Sequence, residues 1–172
     1  MTDWLSFEQI LGYVASAILL SGYAIKSDVK TKTVLIFSSV IFVIHFFLLG
    51  AFTASAVCAV NTMRNASSIF FHKSKAVFIV FAMLYIASGY FTYDTFIGVL
   101  PSIGALLTCA GMFLLGGIPF RVLVVVSTVL WLIHNIMVGS IGGTINFIIL
   151  LLIGLVTIWR LYKDDKKVSY DD

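Results

Sequence analysis

Charged residues are scarce in this sequence. Only 11% of its 172 residues are Asp, Glu, Lys or Arg, whereas a soluble domain averages about 25%. Hydrophobic residues make up 60% of the chain, and the mean hydropathy is +1.08. A single water-soluble core cannot hide this much apolar surface. The composition therefore excludes an ordinary soluble domain and predicts an integral membrane protein.

The residue patterns of common active sites are also missing. The chain has two cysteines, Cys58 and Cys109, without the spacing of a zinc or redox motif, and we expect them to be small apolar packing residues. There is no nucleophile–base pair, no phosphate-binding loop and no pair of carboxylates within the apolar runs. We therefore predict that the protein is not an enzyme and holds no cofactor.

Apolar runs of about twenty residues are abundant, and a helix of that length crosses a bilayer. Helices satisfy their own backbone hydrogen bonds, which lipid requires. The sequence therefore predicts an all-α membrane protein with seven transmembrane helices. Their expected ranges are 8–25, 33–50, 53–72, 76–93, 95–114, 119–139 and 144–162.

The basic residues predict the orientation of these helices. With the N-terminus outside, the loops after helices one, three and five and the C-terminal tail are cytoplasmic. Ten of the 11 basic residues then lie on the cytoplasmic side, and the eleventh, Arg64, lies within a helix. This bias follows the positive-inside rule, so we expect a cytoplasmic C-terminus. The ten are Lys26, Lys30, Lys32, Lys73, Lys75, Arg121, Arg160, Lys163, Lys166 and Lys167.

A thirteen-residue stretch occurs twice in the chain. Residues 38–50 read SSVIFVIHFFLLG and residues 127–139 read STVLWLIHNIMVG, at an offset of 89 (134 − 45). The repeat predicts two parallel units joined by a linker helix, with one orientation and a site between them. Within a single membrane domain, 1–172, we assign the first three-helix repeat to 8–72, the linker to 76–93, the second repeat to 95–162 and a polar cytoplasmic tail to 163–172.

The segment His45–Ala54 reads H-x-x-x-x-G-A-x-T-A, and Asn61 and Arg64 follow it. These residues resemble the YgjV family of bacterial inner-membrane proteins. The arrangement of three helices, one helix and three helices is similar to the SWEET and PQ-loop (MtN3-like) transporter superfamily. The resemblance implies a multi-pass protein of the bacterial inner membrane.

Arg64 is the first candidate for binding. A charge within a membrane helix costs several kcal/mol and usually marks a functional site. Asn61 and Asn65 flank it, and no Asp or Glu lies within a helix core to neutralise it. These residues predict a site for an anionic or polar solute. The alternative is a structural arginine held by backbone carbonyls and the two asparagines.

His45 and His134 are the second candidates. They occupy the same position in the two copies, so they form either an outer gate or two separate helix contacts. Ligation of a haem by both is a remote alternative. Asn135 is a further candidate for solute binding, and Pro101 is expected to kink the fifth helix or act as its hinge.

The sequence thus favours a small-solute transporter with Arg64, Asn61, Asn65, His45, His134 and Asn135 at the binding site. The alternative is a membrane scaffold that binds a partner and transports nothing. The expected partners are the lipid bilayer and a small polar or anionic solute. We expect no nucleic acid, and a monomer or a homodimer.

Overall fold

A computed structural model describes residues 4–23, 25, 27–71, 74–93 and 95–168. The regular structure in these ranges is helical throughout, and seven helices follow one another. The predicted all-α fold is therefore confirmed. The helices are α1 (Phe7–Tyr23), α2 (Asp28–Leu48), α3 (Phe52–Phe70), α4 (Lys75–Phe91), α5 (Phe96–Leu114), α6 (Gly117–Met137) and α7 (Ile141–Val168).

Two helices are longer than the sequence predicts. Helix α2 begins at Asp28, so Lys30 and Lys32 lie in its first turns instead of in a loop. Helix α7 continues to Val168, so residues 163–168 of the polar tail are helical. Neither segment contains the glycine or proline that ends a helix. The described residues do not include Lys26, His72, Lys73, Asp94 or 169–172.

The helices differ in how well they match the length and hydropathy of a membrane span. Four of them match both: Val29–Leu48, Phe96–Leu114, Gly117–Met137 and Ile141–Lys163. Helices α1 and α4 are apolar but have 17 residues each. Helix α3 has 19 residues, but it carries Arg64, two asparagines and five serines or threonines. Most of these polar side chains are buried, so the protein and not lipid surrounds them. Seven crossings with the N-terminus outside stay a prediction.

Six helices pack in a closed ring. In the order α1, α2, α3, α5, α6, α7 each contacts the next, and α7 contacts α1. Helix α4 lies outside this ring against α3 and α5. The ring contains two sets of three helices, and the two places where the sets meet are the α3–α5 contact and the α1–α7 contact.

The same corner follows α2 and α6. Gly50 and Gly139 have φ angles of 73° and 72°. In each corner the N–H of the following residue donates to the carbonyl five positions back, Ala51 to Phe46 and Ser140 to Asn135, both at 2.9 Å. This is a Schellman ending, in which glycine adopts the left-handed conformation at no steric cost. Because both corners turn alike, α3 and α7 leave them in equivalent positions.

The outer surface is apolar and the interior is rich in polar groups. Phe37, Ile86 and Leu152 are each at least 60% exposed, whereas Ser38 and Ser140 are fully buried. In lipid, burying apolar surface gains no hydrophobic free energy. Helices instead associate through small residues and interhelical hydrogen bonds. Ser38, for example, donates to the carbonyl of Ala15 on α1 at 2.8 Å. The arrangement is that of a protein whose solvent is the bilayer.

The predicted orientation is testable by labelling. Single cysteines at Thr2 and Ser169, in a background of Cys58→Ala and Cys109→Ala, should differ in their reaction with a membrane-impermeant maleimide. In intact spheroplasts we expect modification of Thr2→Cys and none of Ser169→Cys until the membrane is opened with detergent. Equal labelling of the two before detergent would exclude an odd number of crossings.

Candidate functional site

Arg64 is buried in the interior of the protein. It is the thirteenth of the 19 residues of α3, about 9 Å from the C-terminal end of that helix at 1.5 Å per residue. Only 7% of its surface is exposed. It therefore lies nearer the C-terminal end of the helix than its N-terminal end.

Arg64 belongs to a group of four polar side chains. Arg64 Nη2 donates to Asn65 Oδ1 at 3.1 Å, and the Tyr85 hydroxyl donates to Asn61 Oδ1 at 2.7 Å. The guanidinium also interacts with the Tyr85 hydroxyl, so α4 is part of the same group. We call Arg64, Asn61, Asn65 and Tyr85 the Arg64 cluster. All three residues predicted on α3 belong to it.

The guanidinium has more donors than the cluster uses. Arg64 Nε has no hydrogen-bond partner, and no described carboxylate forms a salt bridge with it. A guanidinium carries five N–H donors. A buried charge without a counter-ion is costly because its desolvation is not offset. The cluster is therefore a positively charged interior site with donors left for an acceptor.

Helix α4 separates the Arg64 cluster from lipid. Tyr85 is fully buried, and Cys109 on α5 is close enough to feel the charge of Arg64. The cluster thus lies where α3, α4 and α5 meet. At the equivalent α1–α7 contact no described helix takes the place of α4, and Ile153 replaces Arg64 with 43% of its surface exposed. Of these two equivalent positions, the arginine occurs at the one that α4 covers.

His45 joins three parts of the fold. Its Nδ1 lies 2.6 Å from the carbonyl oxygen of Glu8, and its Nε2 lies 2.8 Å from Ser140 Oγ. A carbonyl only accepts, so Nδ1 carries the proton and Nε2 accepts from the serine. Ser140 Oγ also accepts from the N–H of Gly143 at 3.2 Å. Both ring nitrogens of His45 therefore have hydrogen-bond partners, one on α1 and one at the corner before α7.

His134 makes the equivalent contact in the second unit. Its Nδ1 donates to the carbonyl of Ile97 at 3.1 Å, and 134 − 97 equals 45 − 8. Pro101 lies four residues after Ile97 and has no N–H to offer this carbonyl. The histidine thus satisfies the acceptor that the proline leaves free, which ties the proline turn of α5 to α6.

Phe46 lies against both histidines, with ring-centroid distances of 4.9 Å to His45 and 6.0 Å to His134. Asn135, also fully buried, donates from Nδ2 to the carbonyl of Trp131 at 2.7 Å and lies against Gly143 of α7. These three predicted residues belong to the packed end of the ring, where α2 and α6 terminate.

The structure therefore gathers Arg64, Asn61 and Asn65 and places His45, His134 and Asn135 elsewhere. Tyr85 is the site residue that the sequence analysis missed. It lies in the middle of an apolar helix, where a tyrosine hydroxyl needs a buried partner, and that position was the available signal. Gln9, in the first turns of α1, was also missed, and its side chain binds the corner between α6 and α7.

Comparisons with known proteins agree with these observations. The family model Imp-YgjV, described as bacterial inner membrane protein, matches residues 6–165. The chain is 29% identical over 163 residues to inner membrane protein YgjV of Escherichia coli strain K12, covering 93% of this chain and 87% of that protein. No solved structure matches. The chain belongs to the YgjV family of bacterial inner membrane proteins, which confirms the predicted location.

Proposed function

We propose that the protein is a transporter of small anionic solutes whose binding site is the Arg64 cluster. The observation that carries the proposal is a buried guanidinium with an unused Nε donor and no described counter-ion. In membrane proteins such a charge usually serves a substrate or ion pathway. A carboxylate or phosphate would supply the missing negative charge and accept the remaining N–H groups in a charge-assisted, two-pronged contact.

The position of the cluster suits a transport site. It lies at one of the two places where the three-helix sets meet, which is where parallel-repeat transporters bind their solutes. Helix α4 lies over it from outside the ring. A shift of α4 relative to α3 and α5 would change access to Arg64 without breaking the ring. The arrangement of three helices, one helix and three helices is similar to that of SWEET and PQ-loop carriers, and we include this similarity among the reasons for the proposal.

One observation favours a different function, that of a scaffold which transports nothing. The rings of Phe46, Trp131 and Phe147 pack against one another across the centre, and Trp131 stacks on Phe147 at 5.5 Å. These packed rings leave a solute no continuous path along the ring axis between α2, α6 and α7. Under this alternative Arg64 stabilises the junction and no small solute binds.

Thermal unfolding of the purified protein in detergent separates the two functions. The probes are phosphate, sulfate, acetate, succinate and glutamate, with choline and glycerol as cationic and neutral controls at the same ionic strength. A transporter site predicts a rise in Tm with at least one anion and none with the controls. That anion should then enter proteoliposomes that contain the protein. No shift with any anion would favour the scaffold.

Tyr85→Phe tests the contribution of α4 to the cluster. The substitution removes the hydroxyl that donates to Asn61 and leaves a half-buried amide oxygen without this partner, which costs about 1 kcal/mol. We expect Tm to fall by about 2–4 °C. Stabilisation by the anion should weaken, because Asn61 and the guanidinium are no longer held in place.

Tyr90→Phe is the matched control, since Tyr90 is on the same helix and 77% exposed. It should unfold like the unsubstituted protein. Equal behaviour of the two variants would mean that the Tyr85 hydroxyl does not support the site.

A further inference from the structure

Gln9 uses its side-chain amide to join two helix ends. Its Nε2 donates to the carbonyl of Gly139 at 2.8 Å, and its Oε1 accepts from the N–H of Ile141 at 3.1 Å. Gly139 follows α6 and Ile141 begins α7. The primary carboxamide of Gln9 therefore binds one backbone carbonyl and one backbone N–H at this corner. Only 1% of the Gln9 surface is exposed.

The other unit has the same corner without the side chain. At the offset of 89, Gly98 replaces Gln9, and the carbonyl of Gly50 and the N–H of Phe52 replace the groups that Gln9 binds. The residue before α3 is Ala51, which forms no side-chain hydrogen bond to that helix. No described side chain donates to Gly50 or accepts from Phe52.

A cavity of about 130 Å³ lies at this corner. We call it the His134 cavity, after the histidine in its wall, and Gly50, Ala51 and Gly98 line it. Its volume exceeds what a single water requires. The remaining lining residues are Leu49, Thr53, Thr95, Ile97 and Val138.

Helix packing differs between the two corners. A Cβ added to Gly142 would lie 2.6 Å from the backbone of Gly12, so α1 and α7 are in close contact. Thr53 and Pro101 occupy the equivalent positions on α3 and α5. Side chains at these two positions need more room between the helices than the glycine pair does, and Thr53 and Gly98 both line the cavity.

We propose that the His134 cavity binds a small neutral solute through a primary carboxamide group. The solute amide would donate to the Gly50 carbonyl and accept from the Phe52 N–H, as the Gln9 amide does at the other corner. A carboxylate fits less well because it has no hydrogen to donate and would set its charge against the carbonyl oxygen. The part of Gln9 beyond Cα corresponds to propionamide.

This site is separate from the Arg64 cluster. Thr53 and Arg64 are eleven residues apart on α3, which is about 16 Å along the helix axis. The two sites also require opposite chemistry, a neutral amide at one and an anion at the other. The carboxamide site therefore does not depend on the proposed transport function, and its test needs no transport.

The test is thermal unfolding of the purified full-length protein with 100 mM propionamide, 2-butanone or propionate. The three probes have the same number of heavy atoms and differ in the group that replaces NH2. Gln9→Gly opens the known corner and serves as the positive control. Its lowered Tm should rise with propionamide, because a ligand present at ten times its Kd shifts Tm by about 3 °C.

For the unsubstituted protein we expect a comparable rise with propionamide and less than a third of it with the other two probes. Gly98→Gln should abolish the rise by placing a tethered amide in the cavity. If Gly98→Gln does not fold, Val138→Phe fills the same space and should also abolish it. The proposal is overturned if propionamide stabilises Gln9→Gly but not the unsubstituted protein, if neither responds, or if the filled variant still responds.

Discussion

Arg64→Leu is expected to abolish anion binding and uptake without lowering the stability of the protein. The substitution removes a charge that is 7% exposed and has no described counter-ion, and an apolar residue takes its place among buried neighbours. Replacing a buried charge by a hydrophobic residue is often neutral or stabilising by about 1–4 kcal/mol. We therefore expect an unchanged or raised Tm and a loss of at least tenfold in anion uptake by proteoliposomes.

Arg160→Leu is the matched control, because Arg160 is exposed on α7 and the charge lost is the same. It should leave uptake within twofold of the unsubstituted protein. Arg64→Lys keeps the charge but loses the planar fork, so binding should weaken and not vanish. Normal uptake by Arg64→Leu would show that the cluster is not the binding site. A protein that unfolds on this substitution would indicate a structural arginine.

Gly142→Ala is expected to cause a large loss of stability for the addition of a single methyl group. The added Cβ would meet backbone atoms of Gly12 at 2.6 Å and of Tyr13 at 2.7 Å. Backbone cannot rotate away as a side chain can, so α1 and α7 must separate. Ser16 donates to the carbonyl of Gly142 at 2.9 Å, and this bond would lengthen with them. Overpacking of this kind costs about 1–3 kcal/mol, to which the lost hydrogen bond adds about 1 kcal/mol.

The measurement is the apparent Tm of the detergent-solubilised protein, followed by its elution as a monodisperse peak after heating. A loss of this size corresponds to a fall of about 5–15 °C. Gly116→Ala is the matched control, since no atom lies within 4 Å of its added Cβ and its φ of −156° suits any residue. A fall in Tm no greater than that of Gly116→Ala would mean that α1 and α7 are not in close contact.

Most of the fold follows from local features of the sequence. Hydrophobicity over twenty-residue windows and the glycines after α2 and α6 set the helices and their ends, because these properties act between residues near in the chain. The positions of Arg64, Asn61 and Asn65 on α3 also follow from local spacing, which puts residues three and four apart on one face. The repeated histidines are visible for the same reason.

The environments of those residues depend on which helices pack together. Residues 9 and 139 are 130 positions apart, and His45 and Ser140 are 95 apart, so no local pattern announces their hydrogen bonds. The length of α7 was also underestimated, because charge alone does not end a helix.

The amino-acid sequence by itself determined a membrane protein of seven helices with a charge inside one of them and a histidine at the same place in each half. Only the tertiary structure decided that Tyr85 of α4 completes the cluster around that charge and that the histidines hold helices together. It alone shows that the Gln9 amide binds one corner while Gly98 lines a cavity at its counterpart. The reason is physical: hydropathy and helix periodicity are properties of neighbouring residues, whereas burial and hydrogen bonding depend on which distant segments meet.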